Sequence, residues 1–363
     1  MLDRISSAKV ELLCSGVRLP RPLLDLFPGY RFKRASLSEG VCFDLLFEGC
    51  KRPVPINVAI HEKHVQDSPF FFNTEKGLIE KNGQPFVSAQ IIEPPAWYGL
   101  RLDDGTPFQE IFQVHHRTIL ATSLTNFCQF ALAGKACAFC ALGPGSGAPK
   151  IKSVEKISQV LRALVGAGHV FTEVNINSGT LPETSGIELF SATAQAIRAV
   201  VNWPIYLQLC PPEDLRGLDS LAQAGIGCVS FNMEVFDESL RKELMPEKGA
   251  IPIDRYMRAM EYAVGVFGPG QVSSWLIAGL EPVESTMAGI RAVASVGAIP
   301  YVTVFRPLTG SRLENRQPPQ ARDMARVFEF LGQTLREFAL NPALSAGGCV
   351  RCNCCSAVAE VLS

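Results

Sequence analysis

The 363-residue chain is 47% hydrophobic, and its 34 Lys and Arg residues nearly cancel its 35 Asp and Glu. Near-neutrality without a basic run argues against nucleic-acid binding by broad charge attraction and against a polybasic membrane contact. No stretch approaches the roughly 18 apolar residues that span a bilayer, and the first residues lack the apolar core of a leader, so a soluble cytoplasmic protein is expected.

Residues 1–105 read as a strand-rich N-terminal extension. Short apolar runs such as 54–60 and 70–72 are broken by Pro and Gly, and Lys81-Asn-Gly-Gln84 is a hairpin signal. His61 and His64, beside Glu62 and Lys63, read as solvated loop residues and not as a metal pair.

From 106 to 340 strands and helices alternate. Apolar runs at 118–125, 169–176, 205–210, 228–233, 272–277 and 301–305 read as buried strands. Amphipathic stretches at 153–164, 187–201, 214–224, 253–266, 284–296 and 320–339 read as helices. Six nearly all-apolar strands separated by helices imply parallel strands under helical cover. The expected fold is α/β, a partial (β/α)6 TIM-type barrel, with a doubly wound open sheet as the competing architecture. Either architecture gathers ligands at the C-terminal strand ends.

The polar and small residues do fall at those ends. Asn177-Ser-Gly-Thr180 follows the second strand, where small residues let a ligand approach the backbone. Asn232 and Glu234 close the fourth, Ile277-Ala-Gly-Leu280 and Glu281 the fifth, and Arg306-Pro307 the sixth. Together they describe one polar-lined mouth. His115-His116 precedes the first strand, at the end away from that mouth, and reads as a packed or solvated pair.

Seven of the twelve cysteines lie in two groups, 128–140 and 349–355, and such clusters in a cytosolic chain point to metal or cluster ligands. Cys14, Cys42, Cys50, Cys210 and Cys228 stand among apolar neighbours and read as small buried hydrophobes. Cys128, Cys137 and Cys140, spaced C-x8-C-x2-C, follow the first strand. Three thiolates there suit three irons of a [4Fe–4S] cube and leave the fourth iron open for chemistry. A closed zinc or Fe–S site completed by a distant fourth ligand is the blander reading, but it leaves the strand-end residues without a shared purpose.

At these residues, over roughly 115–315, the chain resembles the radical S-adenosylmethionine (SAM) superfamily. Cys137-Ala-Phe-Cys140 matches its local signature. The resemblance implies that Ser178, Gly179 and Thr180 face the SAM amino group. It implies that Asn232 and Glu234 hold the ribose, as in biotin synthase relatives, and that Ile277 and Gly279 pack on adenine. Lys248, in Met245-Pro-Glu-Lys-Gly249, is a candidate for the SAM carboxylate. The usual first gap is three residues and here it is eight, which a loop absorbs at little entropic cost. It places the segment 127–143 in a sparsely characterised branch with a cysteine-rich tail. The implied activity is reductive cleavage of SAM to functionalise a small molecule, with an electron donor such as flavodoxin or ferredoxin. Transfer of the 3-amino-3-carboxypropyl arm of SAM to a heteroatom, and a non-enzymatic Fe–S scaffold or carrier, are the alternatives.

Residues 341–363 form a cysteine-rich tail. Cys349, Cys352, Cys354 and Cys355 are too crowded for all four to bind one cube, although three could. Four readings stand: an auxiliary Fe–S cluster, a mobile soft-ligand tail with thiols tuned by Arg351, a zinc site, or a redox-sensitive segment without a catalytic role. Gly347 and Gly348 suggest a tail that swings toward the barrel mouth.

Overall fold

The computed structural model describes residues 2–27, 40–142 and 147–362; residues 28–39 of the N-terminal extension and Gly143 of the cysteine segment lie outside the described residues. After a helix at Arg4–Ser15, five strands form an antiparallel sheet: β1 (Val41–Leu46), β2 (Val54–Val58), β3 (Phe70–Asn73), β4 (Leu78–Lys81) and β5 (Gln84–Ile91). Their order is β2-β1-β5-β4-β3. The hairpin signal holds: Lys81 pairs with Gln84 across Asn82 and Gly83, both in the left-handed region, the geometry a two-residue loop needs between twisted strands.

The second sheet carries seven strands. β6 (Gln113–His115), which the apolar pattern did not reveal, runs antiparallel to β7 (Ile119–Ser123). Then β8 (Glu173–Asn177), β9 (Ile205–Leu209), β10 (Cys228–Phe231), β11 (Val272–Ala278) and β12 (Ile299–Val304) follow, each parallel to its neighbour. Spatial order is sequence order throughout. A doubly wound sheet reverses direction at a switch point and puts helices on both faces; a monotone series of right-handed crossovers puts them all on one. The partial barrel is therefore the fold, and the concave face of its sheet lines a cavity.

The helices form for local reasons. In Val154–Gly166, Ser153 accepts the Lys156 amide as N-cap, and Ile157, Val160, Leu161 and Leu164 make one buried stripe. Pro182, Pro252 and Pro282 stand immediately before helices Glu183–Arg198, Ile253–Phe267 and Val283–Ser295, where a fixed φ assists initiation. A helix the pattern did not show, Glu238–Leu244, is capped by Asp237. Among the described residues no helix is long and apolar enough to cross a membrane.

The N-terminal sheet bridges the two sides of the open barrel. Asp44 of β1 takes His116 Nε2 at 2.6 Å and Arg117 Nε at 2.9 Å, just before β7. Asn57 of β2 accepts Arg306 through Oδ1 and the main-chain oxygen, at 3.0 and 2.9 Å, just after β12.

The cysteine tail does not sit at the mouth. It docks at the opposite end, where Gly348 N–H donates to Glu173 Oε1, the first residue of β8, at 2.7 Å. Gly348 has φ 87°, and a Cβ on it would meet the Tyr206 ring at 2.3 Å, so the glycine serves close packing and not a swing. The buried Lys9 Nζ, from the first helix, donates to Asn353 O at 2.7 Å and pairs with Glu360 at 2.9 Å. Removing one partner of a buried pair leaves the other desolvated, at a cost of about 3–5 kcal/mol. Lys9→Met should accordingly lower the unfolding free energy by about 3 kcal/mol in urea titration and expose residues 349–362 to proteolysis; an unchanged midpoint would contradict this anchoring role.

Candidate active site

A cavity of about 1050 Å³ lies inside the curled sheet, lined from β7 through β12 and by both cysteine groups. Cys128, Cys137 and Cys140 stand at its upper end, beyond the C-terminal strand ends. Their loop is pinned on both sides. Ala138 N–H donates to Leu244 O at 2.7 Å, its carbonyl accepts Leu313 N–H at 3.2 Å, and its methyl joins a buried cluster with Val235, Met245, Ile277, Leu280 and Phe305. Burial pushes the Cys137 thiol up to about 12, against the pull of the Lys248 ammonium, and burial likewise raises Cys140. A cation or cluster binding here must displace those protons, which makes its affinity rise with pH.

Gly179 sets the position of this loop. A Cβ there would lie 1.9 Å from the Phe127 carbonyl oxygen, so the small residue admits the backbone just before Cys128, and no ligand fills that space. Thr125 Oγ1 accepts Gly179 N–H at 2.9 Å and donates to Phe127 O at 2.8 Å, and Gln129 N–H donates to Thr180 O at 2.9 Å. The segment after β8 and the cysteine loop are thereby one unit.

Ser178, Gly179, Thr180, Asn232, Glu234, Lys248 and Ile277 all line the cavity. Gly279 is not among the lining residues: with φ 101° it packs on Pro319, where a Cβ would stand 2.6 Å away. Glu281 also turns elsewhere, accepting the Phe236 and Asp237 amides at 2.9 and 2.7 Å to hold the loop after β10. Lys248 Nζ lies 2.9 Å from Glu234 Oε1. Burial alone would pull the Lys248 ammonium down; the Glu234 carboxylate outweighs it and holds Lys248 well above the usual lysine range. Glu234 itself has φ 69°, and its amide and carbonyl bond to Trp275 and Ile277 of β11.

Sequence reasoning missed Arg241, buried and stacked 5.1 Å from the Tyr256 ring, which donates to the carbonyls of Met233, Val235 and Ile251. It ties together the stretch carrying Glu234 and Lys248. Arg255 was missed as well. It joins Pro211 O, Glu213 and Glu183 at the rim.

At the lower end Cys349, Cys352 and Cys355 line the same cavity. Cys354 instead lines a small second cavity with Cys42, His115 and His116, which Cys352 and Cys355 border as well. Of the five cysteines expected in the core, Cys14 and Cys228 are buried there, whereas Cys50 is exposed, Cys42 faces the tail and Cys210 lines the main cavity near Thr180. His64 is half-buried, and desolvation keeps it below the usual histidine range. Among the described residues no three of His, Cys, Asp and Glu are gathered to hold a single metal ion. Cys137 packs on the buried apolar cluster, and all three upper thiols open toward the cavity, the donor set of a cube with one iron uncovered.

No family model matches the chain. It is 26% identical over 263 residues to the bacteriochlorophyllide c C-7(1)-hydroxylase of Chlorobaculum limnaeum; the alignment covers 66% of this chain and 65% of the hydroxylase, just under two thirds of that relative's length. Solved structures overlap in part. A methylornithine synthase matches with TM-score 0.48 and 18% identity, covering 59% of this chain and 62% of that one. The FeFe-hydrogenase maturase of Carboxydothermus hydrogenoformans gives 0.48 and 18%, covering 62% and 53%. The chain is thus similar in sequence to an enzyme, and its cysteine loop keeps its resemblance to the radical SAM superfamily.

Gly179→Ala should force the cysteine loop away from the segment after β8, at a stability cost of about 1–3 kcal/mol, and reduce iron uptake during anaerobic reconstitution. Wild-type iron content in a folded Gly179→Ala protein would show that this contact does not position the loop.

Proposed function

We propose that this chain is a radical SAM enzyme that removes a hydrogen atom from a small-molecule substrate held in the cavity below its SAM site. The reading is carried by one observation: three cysteines with the superfamily's local motif and seven of the eight residues expected around SAM line a single cavity. Binding pockets run from about 300 to 1,000 Å³, so a volume of about 1050 Å³ has room for SAM and a second molecule.

In this reading Cys128, Cys137 and Cys140 hold a [4Fe–4S] cluster. Reduced, such a cluster supplies the single electron that splits SAM into methionine and a 5′-deoxyadenosyl radical. The chain's own residues bind, orient and exclude water. Lys248, kept charged by Glu234, offers a cation to the SAM carboxylate. Asn232, whose Oδ1 accepts Ser230 Oγ at 2.6 Å, and Glu234 face the ribose hydroxyls, and Ile277 packs on the adenine. Phe139, Trp275, Tyr301 and Phe305 supply apolar walls that keep water from a reactive carbon. An electron donor such as flavodoxin or ferredoxin and a reducing cytoplasm complete the reading. The sequence relative's name describes a hydroxylation at carbon, which favours attack on a C–H bond over transfer of the 3-amino-3-carboxypropyl arm.

Anaerobically reconstituted protein, given SAM and dithionite, should release 5′-deoxyadenosine, and Cys137→Ala should release none. Methylthioadenosine in its place would indicate arm transfer, and the absence of both nucleosides, with two clusters loaded, a scaffold or carrier. Lys248→Met removes one charge-assisted contact, worth about 1.5–3 kcal/mol, and should weaken SAM binding at least tenfold in equilibrium dialysis. Unchanged SAM affinity in this variant would remove Lys248 from the site.

A further inference from the structure

The tail cysteines divide by direction. Cys349, Cys352 and Cys355 line the main cavity, at the end opposite Cys128, Cys137 and Cys140, whereas Cys354 lines only the second cavity, which Cys352 and Cys355 also border. The division has a backbone cause. Cys349–Cys352 forms one helical turn, and Asn353 then takes the left-handed conformation, φ 52°, which reverses the chain between Cys352 and Cys354. Asn353 is fixed there, since its Nδ2 donates to both Glu360 oxygens at 2.8 Å and its carbonyl accepts Lys9.

Polar side chains border these thiols. Arg306, itself buried and paired with Glu62 at 3.8 Å, lines the cavity and acts on Cys355, and Gln208 Nε2 donates to Cys349 Sγ at 3.3 Å. Arg351 Nε lies 3.7 Å from Glu173 Oε2 at the base of the tail. Three thiols facing one cavity are the ligand set of a cube with one iron uncovered.

We infer that Cys349, Cys352 and Cys355 hold a second [4Fe–4S] cluster that floors the chamber and turns its uncovered iron toward the substrate. The substrate then lies between two clusters, and one bearing an oxygen, nitrogen or sulfur donor is anchored by that iron while its C–H bond faces SAM. The anchoring role rests on the radical SAM reading; the cluster itself does not.

Iron and sulfide per chain, measured after anaerobic reconstitution, test the assignment. Wild type should bind about eight irons. The triple variant Cys349→Ser, Cys352→Ser, Cys355→Ser should bind about four, and so should Cys128→Ser, Cys137→Ser, Cys140→Ser. Cys354→Ser should match wild type, with circular dichroism and elution volume showing which variants are folded. The inference is overturned if the upper-triad variant binds no iron, if a folded tail variant keeps all of it, or if protein as purified carries one zinc that only the tail variant loses. If the tail variant fails to fold, about four irons with a [4Fe–4S] Mössbauer signature in the upper-triad variant still support the inference, and their absence still overturns it. Wild type that cleaves no SAM while the upper-triad variant retains its four irons would sink the radical SAM reading and leave the lower cluster standing.

Discussion

Parallel strands that follow one another in space as they do in sequence impose an asymmetry on everything else. All crossover helices pack on the convex face, so the concave face has no partner supplied by its own βα units. Six strands curl without closing, and their inner side chains would stand in water unless another part of the chain covered them. Two parts do. The N-terminal sheet ties to residues beside β7 through Asp44 and to residues beside β12 through Asn57. The tail seals the lower end through Gly348 and Glu173. The cavity is what remains of a core that six βα units cannot fill.

At the upper end the same economy of space operates on a smaller scale. The backbone before Cys128 lies against Gly179 with no gap for a methyl group, and Gly249 is similarly confined, its missing Cβ 2.1 Å from the Arg241 carbonyl. Each glycine brings two chain segments together at the place where charged or thiol side chains meet. Arg241 then satisfies three main-chain carbonyls that no helix or strand accommodates. The positions of Glu234 and Lys248 are a product of this buried scaffolding, and neither residue sits on a free loop.

Strand and helix periodicity made the barrel legible, because nearly all-apolar strands between amphipathic helices have few other packings. The cysteine spacing marked the upper site for a chemical reason: three soft ligands on one loop have few other uses. What escaped were contacts between residues far apart in the chain. Cys42 looked like a core residue because its neighbours are apolar, yet pairing of β1 brings it to the tail. Gly279 had the right neighbours for a ligand contact, and Pro319, forty residues on, occupies the space. The glycines before Cys349 signalled freedom of movement, whereas a tyrosine ring from β9 demands the small size of Gly348. Periodicity reports which face of an element is apolar; it does not report what arrives from elsewhere to cover it.

The contact from Lys9 to Asn353 and Glu360 joins residues more than 340 positions apart. During synthesis the barrel strands emerge in the order in which they pair, so the upper cysteine loop has its supporting strands long before residues 349–362 are made. The floor of the chamber has no such head start. It closes only when the helix Arg4–Ser15 meets the turn at Asn353. Maturation therefore has a direction, from the mouth of the chamber to its base, and the chamber stays open below until residues 349–362 have been made.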